Sequence, residues 1–322
     1  VIHHADWVEV DELLRRWGGV ATRAQLLTRL SRSEVDRTLV NGSVLRVGHG
    51  RYGLPHLTAD LARAHGLSAV VSHESAALQH GWSVLLPPEQ SHLTFPTKRR
   101  VKAVDLPDVV LHRADLLPDD ISGSHTSQDR TMLDCLRIPD VRRALSVADS
   151  ALRAGRAPAW LHRIAAEARG PGSGQARRVA AHATDCAANS FESGLRAISL
   201  DVPALRMRPQ VRLHDRSGEF MGRPDLVDTE LRIIAEADSF EWHGGRSALV
   251  RDARRYNRFV VEGWMVLRFT WDDVVLEPAR VQATLAAAAE ERSQPRKTPQ
   301  NRRNYDVDSV RPRTKFQKPN VR

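Results

Sequence analysis

Apolar residues in the first sixty positions recur at helical spacing and then switch to alternation. A helix over 8–17 stops at Gly18-Gly19. Thr22-Arg23-Ala24-Gln25 is a capping box, opening a helix whose apolar residues are Leu26, Leu27 and Leu30. Ser31-Arg32-Ser33-Glu34 is a second capping box a few residues later. Its helix turns Val35, Leu39 and Val40 inward and Arg32 and Arg37 outward, and Asn41-Gly42 ends it. A strand, a Gly48-His49-Gly50 turn and a second strand follow, up to Leu54. Three helices, two joined by a tight turn, and a hairpin predict an α+β winged helix-turn-helix over 1–58.

The next stretch, 59–155, predicts an α/β region. Helices are expected near 58–65, 72–80, 127–136 and 141–154, with strands near 92–96 and 109–112. A helix over 158–169 runs into Gly170-Pro171-Gly172-Ser173-Gly174, which reads as a linker, and a helix resumes over 175–186. Residues 156–188 are therefore expected to be a helical linker. From 189 to 291 the order is helix, strand, strand, strand, helix, strand, helix, which suits a mixed α/β sheet with helices on both faces. The helix over 247–262 presents Leu249, Ala253, Tyr256, Phe259 and Val260 inward, and 264–271 has the composition of a buried strand. The whole is a multidomain chain without internal repeats.

Charge alters this picture less than its total suggests. The net charge is +9, but ten Lys/Arg and two Asp within 292–322 account for +8 of it. The body is near neutral, and 292–322 reads as a basic disordered tail that fits nonspecific phosphate binding and an idle end equally. No apolar run approaches the roughly 18–20 residues of a membrane span. The first six residues lack a signal-peptide pattern, and Cys135 and Cys186 lack partners at metal-ligand spacing. A reduced, cytoplasmic location is the expectation. His73, His80, His92, His112 and His125 are scattered, none paired at metal-binding spacing, and are expected to be structural or solvent-facing.

The chemistry concentrates in Pro224-Asp225-Leu226-Val227-Asp228 and Ile233-Ile234-Ala235-Glu236-Ala237-Asp238. These read as two strands around a turn at Asp228-Thr229-Glu230. Side chains alternate along a strand, so Glu236 and Asp238 share a face. Three carboxylates gathered by a hairpin repel one another unless a hard cation sits among them. This is the outline of a magnesium-dependent site for phosphodiester cleavage.

The surroundings carry a resemblance. Ser190-Phe191-Glu192-Ser193, Pro209-Gln210-Val211, Pro224-Asp225, Glu236-Ala237-Asp238, His243, Arg251-Asp252-Ala253-Arg254-Arg255-Tyr256-Asn257 and Gly263-Trp264-Met265-Val266-Leu267-Arg268-Phe269 follow one another over about 100 residues. In that order they resemble a PD-(D/E)XK nuclease domain. The closer likeness is to the bacterial domain of unknown function related to very-short-patch repair endonucleases. The resemblance implies a restriction-endonuclease-like fold over 189–291 and a hydrolase using Mg2+ or Mn2+. It makes Asp225 and Glu236 the metal ligands and Glu192 a third acid. His243 is then a general base or a holder of the leaving group, oriented by Asp252, and Arg254, Arg255 or Arg268 a phosphate holder. Asp238 stands where the pattern has a lysine, and Ser239 where the closer family has a glycine.

The N-terminal half resembles AbiEi-type antitoxins, through Gly18-Gly19-Val20-Ala21-Thr22-Arg23-Ala24-Gln25-Leu26, Arg46-Val47 and Gly50-Arg51-Tyr52-Gly53. Ser72-His73-Glu74-Ser75-Ala76-Ala77 and Ser127-Gln128-Asp129-Arg130-Thr131 extend the likeness to about residue 155. It implies DNA as partner, contacted by Arg32, Arg37, Arg46 and Arg51, and a cognate toxin protein as a second. Two readings result: a DNA-directed, metal-dependent endonuclease, or a non-catalytic antitoxin-like transcriptional regulator on a degenerate nuclease scaffold. A protein-interaction adaptor is a third. DNA versus RNA, target sequence and oligomeric state are open at this stage.

Overall fold

The computed structural model describes residues 14, 20–48, 50–53, 63–64, 67–101, 106, 108–238 and 246–294. It is a multidomain α+β protein with several separate sheets. Both early capping boxes form: Thr22 caps α1 (Arg23–Leu26) and Ser31 caps α2 (Arg32–Val40), each with its reciprocal Gln25 or Glu34 bond. Strands β1 (Val20–Thr22), β2 (Leu45–Gly48) and β3 (Arg51–Gly53) make an antiparallel sheet in the order β1-β3-β2. Leu14, Leu26, Leu30, Val35, Val44 and Tyr52 form its core. The expected helix over 8–17 lies outside the described residues except for Leu14. Val40, expected inward, is 89% exposed, and the buried Thr38 takes an inward place on α2. β1 is too short and too close to the α1 cap to be recognised by alternation.

The middle sheet has the order β6-β5-β4-β8-β7. Its strands are β4 (Val70–Val71), β5 (Ser91–Phe95), β6 (Val109–Arg113), β7 (Ile121–Ser122) and β8 (His125–Thr126). Helices α3 (His73–Gln79), α4 (Gln128–Leu136) and α5 (Val141–Arg153) accompany it. Helices α6 (Pro158–Glu167) and α7 (Ser173–His182) follow. They are not a linker: Leu161, Ile164, Ala176 and Val179 share one buried cluster with Met132, Leu145 and Ala148. The Gly-Pro-Gly run is the sharp turn between them. Its composition marks a chain reversal, which a linker and a helix hairpin both need.

The third unit is built on a mixed sheet of order β14-β13-β12-β9. Strands β9 (Arg208–Pro209), β12 (Leu226–Asp228) and β13 (Ile233–Asp238) are antiparallel neighbours, and β14 (Met265–Thr270) runs parallel to β13. The pair β10 (Leu213–His214) and β11 (Phe220–Gly222) stands beside it, a hairpin that the sequence pattern did not resolve. Helices α8 (Ser190–Ser199), α10 (Trp271–Leu276) and α11 (Pro278–Ser293) cover one face through Leu195, Val274 and Leu285. The other face meets α9 (Arg246–Val261) through Phe259. β14 is an edge strand, only partly buried, and not the fully buried strand expected from its composition. On α9, Phe259 is buried as expected, but Ala253 and Val260 face solvent.

Helix α8 joins the last two units. Asp149 of α5 receives both Nη2 bonds of Arg196, at 2.8 and 2.7 Å, and both residues are buried. Gly194 lets α8 approach, because a Cβ there would lie 2.9 Å from Leu85 Cδ1. Arg142 of α5 donates to the Val274 carbonyl at 2.7 Å. No helix among the described residues is long and apolar enough to cross a membrane.

Candidate acid cluster at the end of the mixed sheet

Alternation along β13 sorts its side chains. Ile233 and Ala235 pack with α8 and α11, while Ile234 packs with Val227 and Phe259 on the α9 side. Glu236 and Asp238 share the parity of Ile234, so they line the α9 side at the C-terminal end of the strand. Asp225 precedes β12 with the parity of Val227 and lies on the same side. The Ala237 N–H donates to Asp225 Oδ2 at 2.8 Å, which ties the two strands together beyond their last paired residues. Asp225 and Glu236 are near enough for each to influence the other's titration.

Glu192 enters from the first turn of α8. It reads there as a helix-terminus acid, and it does accept from the Ala188 N–H at 2.8 Å and Asn189 Nδ2 at 3.0 Å. It also accepts from Gln210 Nε2 at 2.8 Å, and the same nitrogen lies 3.3 Å from Asp225 Oδ1. Gln210 therefore bridges two of the acids. Its backbone has φ +56°, a left-handed conformation unusual for a side-chain-bearing residue, and of the strand expected over 210–214 only Leu213–His214 forms, as β10. Arg223 Nε donates to Gln210 Oε1 at 2.6 Å, orienting the amide.

Burial pushes all three carboxyls upward. Asp225 rises to about 7, through burial first and the Glu236 charge second. Glu236 rises through burial, and Arg255 opposes that rise. Glu192 also rises, through burial and with a contribution from Asp225. The compensating cations are arginines. Arg255 Nη1 of α9 lies 3.1 Å from Glu236 Oε1, and Arg268 of β14 pairs with Asp238. Both guanidiniums lie over the Tyr256 ring, at 4.8 and 4.6 Å from its centroid. Gly222 makes room for Arg255, since a Cβ there would lie 3.3 Å from its Cδ.

The structure thus brings together Glu192, Asp225, Glu236, Asp238, Arg255 and Arg268. Arg254 is exposed on α9. Asp252 lies 3.5 Å from Arg255 Nη2. His243 lies outside the described residues, and so does the role expected for it. Arg32, Arg37 and Arg46 are exposed on the first unit, and the Arg51 side chain lies outside the described residues. Gln210, Arg223 and Tyr256 were not foreseen as site residues. Only the Pro209-Gln210 and Arg255-Tyr256 runs could have signalled two of them. Asp228, another hairpin acid, is structural: its carboxylate accepts from the N–H groups of Arg206, Glu230 and Leu231, at 2.6, 3.0 and 2.9 Å.

The donor set fits a hard divalent cation. Neighbouring carboxylates would exchange a proton for a metal that prefers oxygen ligands, which discharges their repulsion. Asp225 and Glu236 would hold it, with Glu192 adjoining through Gln210.

Fold and site together define a multidomain α+β protein with a buried acid cluster at a sheet end. No protein-family model matches the chain. Two curated proteins of Mycobacterium tuberculosis are similar to it: Uncharacterized protein MT2308 of strain CDC 1551 / Oshkosh and Uncharacterized protein Rv2248 of strain ATCC 25618 / H37Rv. Each is 30% identical over 268 residues, covering 80% of this chain and 96% of the relative. The chain belongs to the family of these mycobacterial proteins.

Proposed function

We propose that this protein is a DNA-directed, divalent-metal-dependent phosphodiesterase of the PD-(D/E)XK type. In this reading the unit of α1, α2 and β1–β3 is a winged helix that docks the chain on DNA. The observation that carries the proposal is the convergence of Asp225, Glu236 and Glu192 at one sheet end, all held above their usual protonation range by burial. Two of the acids, Glu192 and Glu236, are buried and Asp225 between them is partly buried, an arrangement that a bound cation would relieve.

Mg2+ or Mn2+ bound there would neutralise charge on the reacting phosphate and acidify a bound water. The protein's own part is to position and to balance. Gln210 fixes the spacing of Glu192 and Asp225, and Arg255 holds Glu236. The lysine replaced by Asp238 has a substitute in charge, because Arg255 and Arg268 bring two cations to the same side of the sheet. Their planar, multi-donor heads suit a phosphate's oxygens.

Plasmid nicking measured against a titration of Mg2+ and Mn2+ tests the reading. Wild type should nick only with metal, and Glu236→Ala should not nick at any metal concentration. Metal-dependent nicking by both proteins at equal rate would refute the assignment.

One observation favours a second reading, a non-catalytic antitoxin-like regulator: Asp238 is engaged by Arg268 rather than open toward a metal. This reading predicts tight, site-specific binding without metal. Arg32→Ala and Arg37→Ala should each weaken binding in gel shifts and lower the salt slope by about one unit, as loss of one phosphate contact does. Unchanged slopes in both variants would remove α2 from the DNA interface.

A further inference from the structure

Three histidines far apart in the chain converge on one part of the five-stranded sheet. His73 opens α3, His92 lies in β5 and His112 in the adjacent parallel β6. His112 Nε2 is 3.2 Å from His92 Nδ1. The His73 ring stacks on His112, with centroids 3.5 Å apart and planes 16° from parallel. One ligating nitrogen from each of the three lies within 4.8 Å of the others. Sequence spacing hides this, because strand pairing and the β4–α3 connection, not local periodicity, create it.

We propose that His73, His92 and His112 form a three-histidine site for a borderline transition-metal cation, zinc foremost, with a fourth position left to solvent or an exogenous ligand. Imidazole donors suit zinc, cobalt and nickel rather than magnesium, so this site differs in kind from the acid cluster and does not rest on the nuclease reading. Zinc–nitrogen bonds of about 2.0–2.1 Å place ligand nitrogens roughly 3.3 Å apart in a tetrahedron. His92 and His112 already stand near that separation, and rotation of the stacked His73 ring would bring in the third nitrogen.

The surroundings favour a ligating state. Burial disfavours the charged form of His73 and His112, which suits the neutral imidazole that a ligand must be. His73 Nδ1 lies 2.9 Å from Ser72 Oγ, which is itself hydrogen-bonded to Thr94 Oγ1 at 2.8 Å. When Nδ1 carries the proton, Ser72 accepts it and Nε2 keeps the lone pair for a metal, the outer-shell arrangement of many histidine sites. His73 sits at φ +51°, a strained position for a side-chain-bearing residue, so its ring is presented at a backbone cost.

The test uses the full chain, free of any polyhistidine tag and stripped with chelator. Cobalt titration should give the intense visible band of a four-coordinate site at one equivalent, which added zinc abolishes. His112→Asn and His92→Gln should each weaken binding by about 100-fold or more, and Ser72→Ala by about tenfold. Glu236→Gln should leave the band and its affinity unchanged. Circular dichroism checks that each variant folds; the half-buried His112→Asn decides if His92→Gln does not. No band in the folded wild type, or an undiminished band in folded His112→Asn, would overturn the proposal.

Discussion

Arg196→Ala is expected to lower the free energy of unfolding by about 3–5 kcal/mol, because it strands a buried carboxylate. Asp149 is shut away from solvent and accepts two bonds from Arg196 and one from the Thr184 N–H at 2.8 Å. Arg196 also donates to the His182 carbonyl at 2.5 Å, so its loss frees a second acceptor at the end of α7. The sign of the pH dependence follows from burial, which already raises the Asp149 carboxyl and which Arg196 opposes. Without the guanidinium, Asp149 rises further above its unfolded value. Protonated Asp149 is tolerated, so the variant keeps more of its stability at low pH and loses it as pH rises through the new folded value. Urea melts at pH 5 and pH 8 should show the larger deficit at pH 8. A deficit equal at both pH values would mean that Asp149 is not the stranded group. The double variant Arg196→Met, Asp149→Leu should recover most of the loss, since no unpaired charge remains. The consequence reaches the acid cluster: Glu192 lies one turn before Arg196 on α8, so a loosened helix end displaces an acid that Gln210 holds next to Asp225.

Much of this arrangement was legible beforehand because its causes are local. Capping boxes at Thr22 and Ser31 state where helices begin whatever surrounds them, and both form. The acid hairpin was legible because alternation alone puts Glu236 and Asp238 on one face. The hidden parts depend on packing. Val40 and Val260 follow helical spacing but fall beyond the buried stripe, which only the neighbouring elements delimit. The apparent linker at 170–174 is a turn because Leu161 and Val179 find the same core, a long-range fact. Strands of two or three residues, such as β4 and β9, give no period to detect. Gln210, the bridge, has a left-handed backbone just past β9, and no residue pattern announces it. The histidine cluster is hidden in the same way, since β5–β6 pairing brings His92 and His112 together across twenty residues.

Asp225→Asn should abolish metal-dependent cleavage and make the metal-free protein more stable at pH 8. Losing a metal ligand forfeits several kcal/mol of transition-state stabilisation, which corresponds to a rate loss on the order of 10³-fold or more. The stability gain has a different origin. In the cation-free protein Asp225 titrates near pH 7, held up by burial and by Glu236. A carboxyl raised in the folded state contributes stability that is complete below its unfolded value near 4 and is lost as pH rises through 7. At pH 8 the wild type therefore carries an ionised Asp225 beside Glu236. The asparagine removes one charge while its carbonyl can still accept from the Ala237 N–H, so a gain of about 1–3 kcal/mol is expected, with a flatter stability profile between pH 4 and 7. Mg2+ should raise the melting temperature of the wild type and leave the variant unmoved, by linkage of binding to the folded state. Asp228 supplies the contrast within the same hairpin. Its carboxylate accepts from three backbone N–H groups, so Asp228→Asn should destabilise the protein. If Asp225→Asn is less stable than wild type, as expected for Asp228→Asn, then Asp225 is a structural acid and the cluster holds no metal. Opposite signs at two acids three residues apart would mark Asp225 as kept for function against the interest of stability.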